Sequence, residues 1–188
     1  MSRKKRRWPE TGEPLPSPVM DNHTHLPLRE SEIPVADGFR MSLPEQMLHA
    51  ERMMVTRMIT VGCELPDLRP TVELARQWPQ VKAALGIHPN EAALHAGHLD
   101  KSPDGHDHFQ QGHHVPLIEA IERVSELLSD PEVVAVGESG LDYFRTGEAG
   151  REAQKESMEM HLEMARRHHL PLQLHIRDAY PDAIKLLR

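Results

Sequence analysis

The stretch Val-Val-Ala-Val-Gly-Glu-Ser-Gly-Leu-Asp-Tyr (133–143) places a carboxylate directly after an unbroken apolar run. Residues 133–137 are apolar throughout, which is typical of a strand in a parallel sheet that is covered on both faces. Burying the carboxylate of Glu138 at the end of such a strand is costly unless a cation or hydrogen bonds compensate its charge. The stretch therefore predicts a buried strand that ends in a chemically active group.

The same succession of a strand and a helix recurs on both sides of residues 133–143. The predicted strands are 19–23, 58–61, 81–87, 133–137 and 172–175, and the predicted helices are 43–54, 68–77, 116–128, 151–169 and one that begins at 180. Strands that alternate with helices indicate a parallel α/β sheet. The chain has no Gly-x-Gly-x-x-Gly motif, which disfavours a dinucleotide fold. Polar residues at the strands' C-terminal ends favour a TIM-type (β/α)8 barrel, of which only about the first five strands are present.

The composition excludes several classes of protein. The chain has 188 residues, of which 38% are hydrophobic and 27% charged, and this suits one globular core. No apolar run approaches the roughly 20 residues that cross a bilayer. The single cysteine, Cys63, cannot form an internal disulfide and fits a reducing compartment, so we predict a cytoplasmic protein without membrane contact. Fourteen histidines are the one compositional excess, and they point to metal chemistry.

The first 18 residues are basic and rich in proline, and we predict a disordered arm ahead of a domain over 19–188. The arm has no apolar segment behind its basic cluster, so it does not resemble a secretory signal. Residues 3–7 carry five positive charges in a chain of net charge −7, so the remaining residues carry −12. Such an acidic body repels phosphates unless something local reverses the sign of the charge.

Residues 90–115 contain six of the fourteen histidines, between the third predicted strand and the third predicted helix. Loops longer than about 12–15 residues are usually functional or disordered. The Gly, Asp and Ser content predicts a mobile, His-rich insertion outside the barrel. His-rich tracts also bind metal, so a structural metal site in this loop is the alternative.

Four strand-end residues are candidate metal ligands. His23 and His25 are two apart on a strand, so both imidazoles point the same way and can share one cation. Glu138 and His175 end the fourth and fifth strands and would face the same barrel mouth. Taken singly, each residue has an ordinary structural explanation, such as a partly exposed strand end or a hydrogen-bonded buried side chain. Their convergence on one mouth favours the metal site.

Two further residues are candidates for substrate binding. His88 ends the third strand and either orients a water or a phosphate oxygen or caps the strand end with a hydrogen bond. Arg177 lies two residues beyond His175 and offers a guanidinium to a flanking phosphate.

Four segments together resemble the TatD family of metal-dependent deoxyribonucleases, within the amidohydrolase-like barrels. They are Asp-Asn-His-Thr-His-Leu (21–26), Gly-Ile-His-Pro (86–89), Gly-Glu-Ser-Gly-Leu-Asp-Tyr (137–143) and Leu-Pro-Leu-Gln-Leu-His-Ile-Arg-Asp-Ala (170–179). The resemblance implies that His23 and His25 bind a first divalent ion, that Glu138 bridges two ions as the catalytic carboxylate, and that His175 binds the second. It also implies hydrolysis of DNA phosphodiester bonds by a water that two metal ions activate. Mg, Mn and Zn all suit such ligands.

The chain also departs from the family pattern. Ser139 replaces the usual hydrophobic residue after the bridging glutamate, and His161 occupies a position where a second glutamine is common. The family's further ligands, a histidine from strand six and an aspartate from strand eight, have no counterpart here, so we expect a C-terminally truncated chain. Two alternatives stay open: a hydrolase of another ester or amide bond, such as D-aminoacyl-tRNA, and a non-catalytic remnant. Nothing in the sequence identifies a protein partner.

Overall fold

The computed structural model describes residues 6–9 and 12–188, in which strands and helices alternate along the chain. The strands are β1 Val19–Thr24, β2 Val55–Gly62, β3 Val81–Leu85, β4 Val133–Asp142 and β5 Leu172–Arg177. The α-helices are α1 Leu43–Arg52, α2 Leu65–Gln77, α3 Pro89–His95, α4 Leu117–Ser125, α5 Arg151–His168 and α6 Tyr180–Leu186. Short 3-10 helices cover Glu30–Glu32 and Glu148–Gly150. No helix in this part of the chain is both long and apolar enough to span a membrane.

The five strands form one sheet in the order β1-β2-β3-β4-β5, and every neighbouring pair is parallel. The sheet is curved. The side-chain amide of Gln173 on β5 donates to the carbonyl of Asn22 on β1 at 2.6 Å, which a flat sheet would not allow since the two strands are not neighbours. Five parallel strands with helical crossovers and this curvature make up part of a (β/α)8 barrel wall. The predicted α/β fold class is confirmed.

The core lies between the middle of the sheet and the helices outside it. β3 and β4 are buried along nearly their whole length, as parallel strands covered on both faces must be. α4 contributes an apolar stripe at helical spacing, in which Leu117, Ile121 and Val124 are buried. β1 is exposed along most of its length and β5 is half-buried. The two outer strands therefore contribute least to the core.

Part of the segment 90–115 is helical, which its composition does not predict. Its first residues belong to α3, where the alanines and leucine of Ala92–Leu94 are buried together with His95. His88 caps this helix by accepting a hydrogen bond from the backbone N–H of Asn90 at 3.2 Å. Averaging the composition over the whole segment concealed these apolar residues. The irregular remainder is also anchored, since the ring of His108 contacts the carbonyl of Arg145 at 2.8 Å.

Part of the N-terminal arm contacts the body. The backbone N–H of Trp8 donates to the Asp37 carboxylate at 2.9 Å, and its ring lies 6.1 Å from that of Phe39, centroid to centroid. Most of the predicted basic cluster, residues 3–5, lies outside the described residues, as do residues 10 and 11. Disorder of the arm therefore stays a prediction for those residues.

Candidate metal centre

The two oxygens of the Glu138 carboxylate face different histidines. Oε2 lies 3.5 Å from Nε2 of His23 and 3.8 Å from Nε2 of His25, whereas Oε1 lies 2.9 Å from Nδ1 of His175. The four predicted ligands therefore meet, with His23 and His25 at the end of β1 and with Glu138 and His175 in the C-terminal halves of β4 and β5. Glu138 stands between the pair from β1 and the single histidine from β5.

Close approach of β4 and β5 brings Glu138 and His175 together. Gly140 has φ +139°, and a Cβ there would lie 2.1 Å from the carbonyl oxygen of His175. Only glycine satisfies both the backbone angle and the spacing. The second glycine of the Gly-Glu-x-Gly motif thus sets how near β5 can approach the carboxylate.

Asp142 is a further member of the cluster. Its Oδ2 lies 3.0 Å from Nε2 of His175, so the imidazole bridges Asp142 and Glu138. Its Oδ1 accepts hydrogen bonds from the backbone N–H groups of Phe144 and Arg145, at 3.1 and 2.8 Å. The sequence prediction did not include Asp142. Its spacing was the available signal, because residues four apart on a strand share a face.

Two buried side chains of α5 support this edge of the sheet. Gln154 accepts from the backbone N–H of Asp142 at 2.9 Å. His161 accepts from the backbone N–H of Ile87 at Nε2, at 2.9 Å, and donates from Nδ1 to the carbonyl of Ser157, at 2.6 Å. Burial lowers the pKa of His161 to about 4, so the ring is neutral and both of its nitrogens are hydrogen-bonded.

The histidines around Glu138 keep its carboxylate ionised. Burial opposes ionisation of Glu138, but the hydrogen bond from His175 and the charges of the neighbouring imidazoles lower its pKa to about 2. Hydrogen bonds to Asp142 and Glu138 raise the pKa of His175 to about 9. Burial, and then the charge of His175, lower the pKa of His88 to about 4. At neutral pH the metal-free site therefore holds an imidazolium between two carboxylates, with a neutral His88 beside it.

His88 and Arg177 occupy different surroundings. The ring of His88 packs edge-on against His175, with 4.6 Å between centroids. The guanidinium of Arg177 lies over the ring of Phe144, 3.7 Å from its centroid, and the residue is exposed. The structure thus places His88 within the cluster and Arg177 at its outer edge.

A cleft of about 480 Å³ opens onto the cluster, and Cys63 lines it together with His25, His88, Glu138 and His175. The Cys63 thiol lies 3.8 Å from Oε2 of Glu138. Burial, and then the charge of Glu138, raise the pKa of this thiol. Cys63 thus lines the cleft as a neutral thiol rather than as a thiolate ligand.

The donor set fits divalent ions. The cluster contains two groups of three residues, and within each group the ligand atoms lie within 4.8 Å of one another. The first group is His23, His25 and Glu138, and the second is His88, Glu138 and His175. Ligand atoms about 2.1 Å from a common ion stand roughly 3–3.5 Å apart, close to the separations between the Glu138 oxygens and the histidines. Imidazole and carboxylate ligands together suit Zn, Mn and related ions.

A curved parallel sheet with histidines and a carboxylate towards its C-terminal edge is typical of metal-dependent barrel hydrolases. The family model described as TatD related DNase matches residues 20–188. The chain belongs to the TatD family.

Named relatives agree with this assignment. The uncharacterized metal-dependent hydrolase TatD of Mycobacterium tuberculosis is 30% identical over 90% of this chain and 56% of its own length. The 3'-5' ssDNA/RNA exonuclease TatD of Salmonella typhimurium is 27% identical over 71% of this chain and 43% of its own. The crystal structure of the TatD homolog YJJV from Escherichia coli superimposes with a TM-score of 0.63 at 26% identity, covering 89% of this chain and 54% of that one. The chain thus spans about half the length of the curated relatives it matches.

Proposed function

We propose that the chain forms part of a divalent-metal-dependent nuclease that hydrolyses phosphodiester bonds, with DNA as its main substrate. The position of Glu138 carries the proposal, because one of its oxygens faces the His23–His25 pair and the other faces His175. A carboxylate so placed can bridge two ions. The Salmonella relative named as an ssDNA/RNA exonuclease supports a nucleic acid as the substrate class.

His23, His25 and Glu138 would hold the first ion, and Glu138 and His175 the second, each ion being Mg, Mn or Zn. The chemistry that two ions would supply there is polarisation of the phosphodiester and activation of a water as the nucleophile. Asp142 holds the ring orientation of His175 through its hydrogen bond, as outer carboxylates commonly do for ligating histidines. Ions bound at this site would also bring local positive charge to a chain whose net charge is −7, which an incoming phosphate requires.

Two residues are assigned to substrate binding. Nδ1 of His88 accepts from the backbone N–H of Asn90, so the proton of the neutral ring sits on Nε2 and is available to a phosphate oxygen. Arg177 offers its exposed guanidinium to a flanking phosphate. The free thiol of Cys63 favours a reducing compartment, and we place the protein in the cytoplasm.

The test compares Glu138→Gln with Glu159→Gln, the same substitution at an exposed position of α5. Turnover of single-stranded DNA with added Mg²⁺, Mn²⁺ or Zn²⁺ should fall roughly 100- to 1000-fold or more in Glu138→Gln, because the charge that both ions share is lost. Glu159→Gln should retain it. Undiminished turnover in Glu138→Gln, or in excess EDTA, would refute the proposal. Turnover of D-aminoacyl-tRNA without turnover of DNA would show that the protein hydrolyses another ester bond instead.

A further inference from the structure

A second cluster of ligand-type side chains lies where the His-rich loop meets α3. Atoms of Glu91, His113 and His114 lie within 4.8 Å of one another, although none of these residues is a proposed ligand at the Glu138 site. Oε2 of Glu91 is 2.9 Å from Nε2 of His114 and 3.5 Å from Nε2 of His113. The two imidazoles are 4.2 Å apart between centroids. The side chain of His113 is 18% exposed, that of His114 1% and that of Glu91 15%. The cluster is therefore largely withdrawn from water.

Two imidazole nitrogens at this cluster are buried without a hydrogen-bond partner among the described residues, Nε2 of His113 and Nε2 of His95. Nδ1 of His95 must donate to the carbonyl of Val115, 2.8 Å away, because a carbonyl only accepts. In the neutral ring Nε2 is then an unprotonated acceptor. His95 is 4% exposed and its ring lies edge-on to that of His114, with 5.0 Å between centroids. Orphaned buried polar atoms are costly and require an explanation.

We propose that Glu91, His113 and His114 bind a zinc-type transition-metal ion that fastens the His-rich loop to α3. Two imidazoles and one carboxylate are a recurrent zinc ligand set, and imidazole favours Zn²⁺ over Mg²⁺ or Ca²⁺. A coordinated ion would satisfy the orphaned nitrogen of His113. His95, whose ring centroid lies 5.0 Å from that of His114, is a candidate for the fourth position, which water fills otherwise. The ion would be structural, and it would stand apart from the ions at Glu138.

Metal binding should also rearrange the loop next to His114. Nδ1 of His114 accepts from the backbone N–H of Gln111 at 2.7 Å, so the ring proton is on Nε2 and points to Glu91. An ion at Nε2 displaces this proton, and a neutral ring then carries its proton on Nδ1. The N–H of Gln111 would lose its acceptor. We therefore expect faster amide exchange at Gln111 and slower exchange at residues 113–115 when metal is bound.

The experiment titrates the 188-residue chain with Zn²⁺, and with Co²⁺ as a spectroscopic substitute, in a His23→Ala/Glu138→Ala background. This background disables the proposed catalytic ions, so its result is independent of the nuclease proposal. We expect one tight equivalent and the absorption bands of low-coordinate Co²⁺. Adding His113→Ala or His114→Ala should weaken binding by at least about 100-fold, beyond the loss caused by removing a merely supporting group.

His106→Ala is the matched control, because His106 belongs to the same loop, is 60% exposed and pairs with Asp104 outside the cluster. It should leave the affinity unchanged. Circular dichroism verifies that each variant keeps its helix content. An equal loss in His106→Ala would show diffuse chelation by the loop, and no tight equivalent in the folded background chain would show a metal-free hydrogen-bond network. Either result would overturn the proposal.

Discussion

His175 makes the stability of the metal-free protein depend on pH. Its pKa rises from an ordinary 6.5 to about 9 through hydrogen bonds to Asp142 and Glu138. A raised folded-state pKa contributes stability that is complete below pH 6.5 and is lost as the pH climbs to about 9. In EDTA, the free energy of unfolding from urea titrations should therefore fall across this window. His175→Gln should flatten the decline.

The control for this titration is His106→Gln, which changes an exposed histidine far from Glu138 in sequence and should keep the wild-type slope. A decline that persists in His175→Gln would mean that other groups titrate in this window. The acid side has the opposite sign. The pKa of Glu138 is lowered to about 2, so its contribution is present above pH 4.5 and is lost as the pH falls toward 2.

At the residue scale, strand-end spacing predicted which side chains would meet, and the structure brings His23, His25, Glu138 and His175 together. Spacing along a strand could not predict which of these groups form hydrogen bonds with one another. Asp142 has the spacing that would place it beside Glu138, but it bonds to His175 because β4 continues past the apolar run; His161 supports the site because its ring reaches the backbone of Ile87 from another element. Contacts between elements depend on how those elements pack, and periodicity along one segment contains no such information.

The contact between β4 and β5 depends on Gly140. In Gly140→Ala the new Cβ would lie 2.1 Å from a β5 carbonyl at a backbone angle that alanine rarely adopts. We expect a loss of at least about 2–3 kcal/mol in unfolding free energy, together with weaker metal binding because His175 is displaced. Gly112→Ala is the control, since nothing lies within 4 Å of its Cβ position. Wild-type stability in Gly140→Ala would show that the strands separate without cost.

The contact between α5 and the end of β3 depends on His161. His161→Ala removes two buried hydrogen bonds and leaves the N–H of Ile87 without its acceptor, besides opening a cavity. The cost should be roughly 2–4 kcal/mol in chemical denaturation. The exposed Arg166→Ala on the same helix should change stability by less than about 0.5 kcal/mol. A small effect of His161→Ala would indicate that water replaces the ring.

At the element scale, alternating hydrophobic segments predicted all five strands, whereas the C-terminal end of β4 and the existence of α3 were missed. β4 was predicted to stop at Gly137, where the unbroken apolar run ends, yet the strand continues to Asp142, whose backbone N–H donates to Gln154. α3 has only 7 residues, too few for a helical period to stand out. The extension of β4 depends on a polar partner from another element, and α3 begins at a histidine cap.

The whole sheet has two outer strands, β1 and β5, whose far sides are not paired within the described residues. An open edge offers unpaired N–H and carbonyl groups to another chain, and exposed apolar side chains strengthen such pairing. β1 exposes Val19 and Met20, the latter by 52%. We therefore expect the isolated 188-residue chain to self-associate at micromolar concentration in size-exclusion chromatography with light scattering. Met20→Lys should shift it toward the monomer.

The matched control for edge pairing is Ile118→Lys, because Ile118 on α4 is 55% exposed and lies away from both outer strands. Each variant adds one positive charge and removes one exposed apolar side chain, so only their positions differ. If association proceeds through β1, a lysine on the edge opposes strand addition, whereas a lysine on α4 leaves the edge available. An equal shift in both variants would assign the association to general hydrophobic contact, and a monomer at all concentrations would show that the edges are protected.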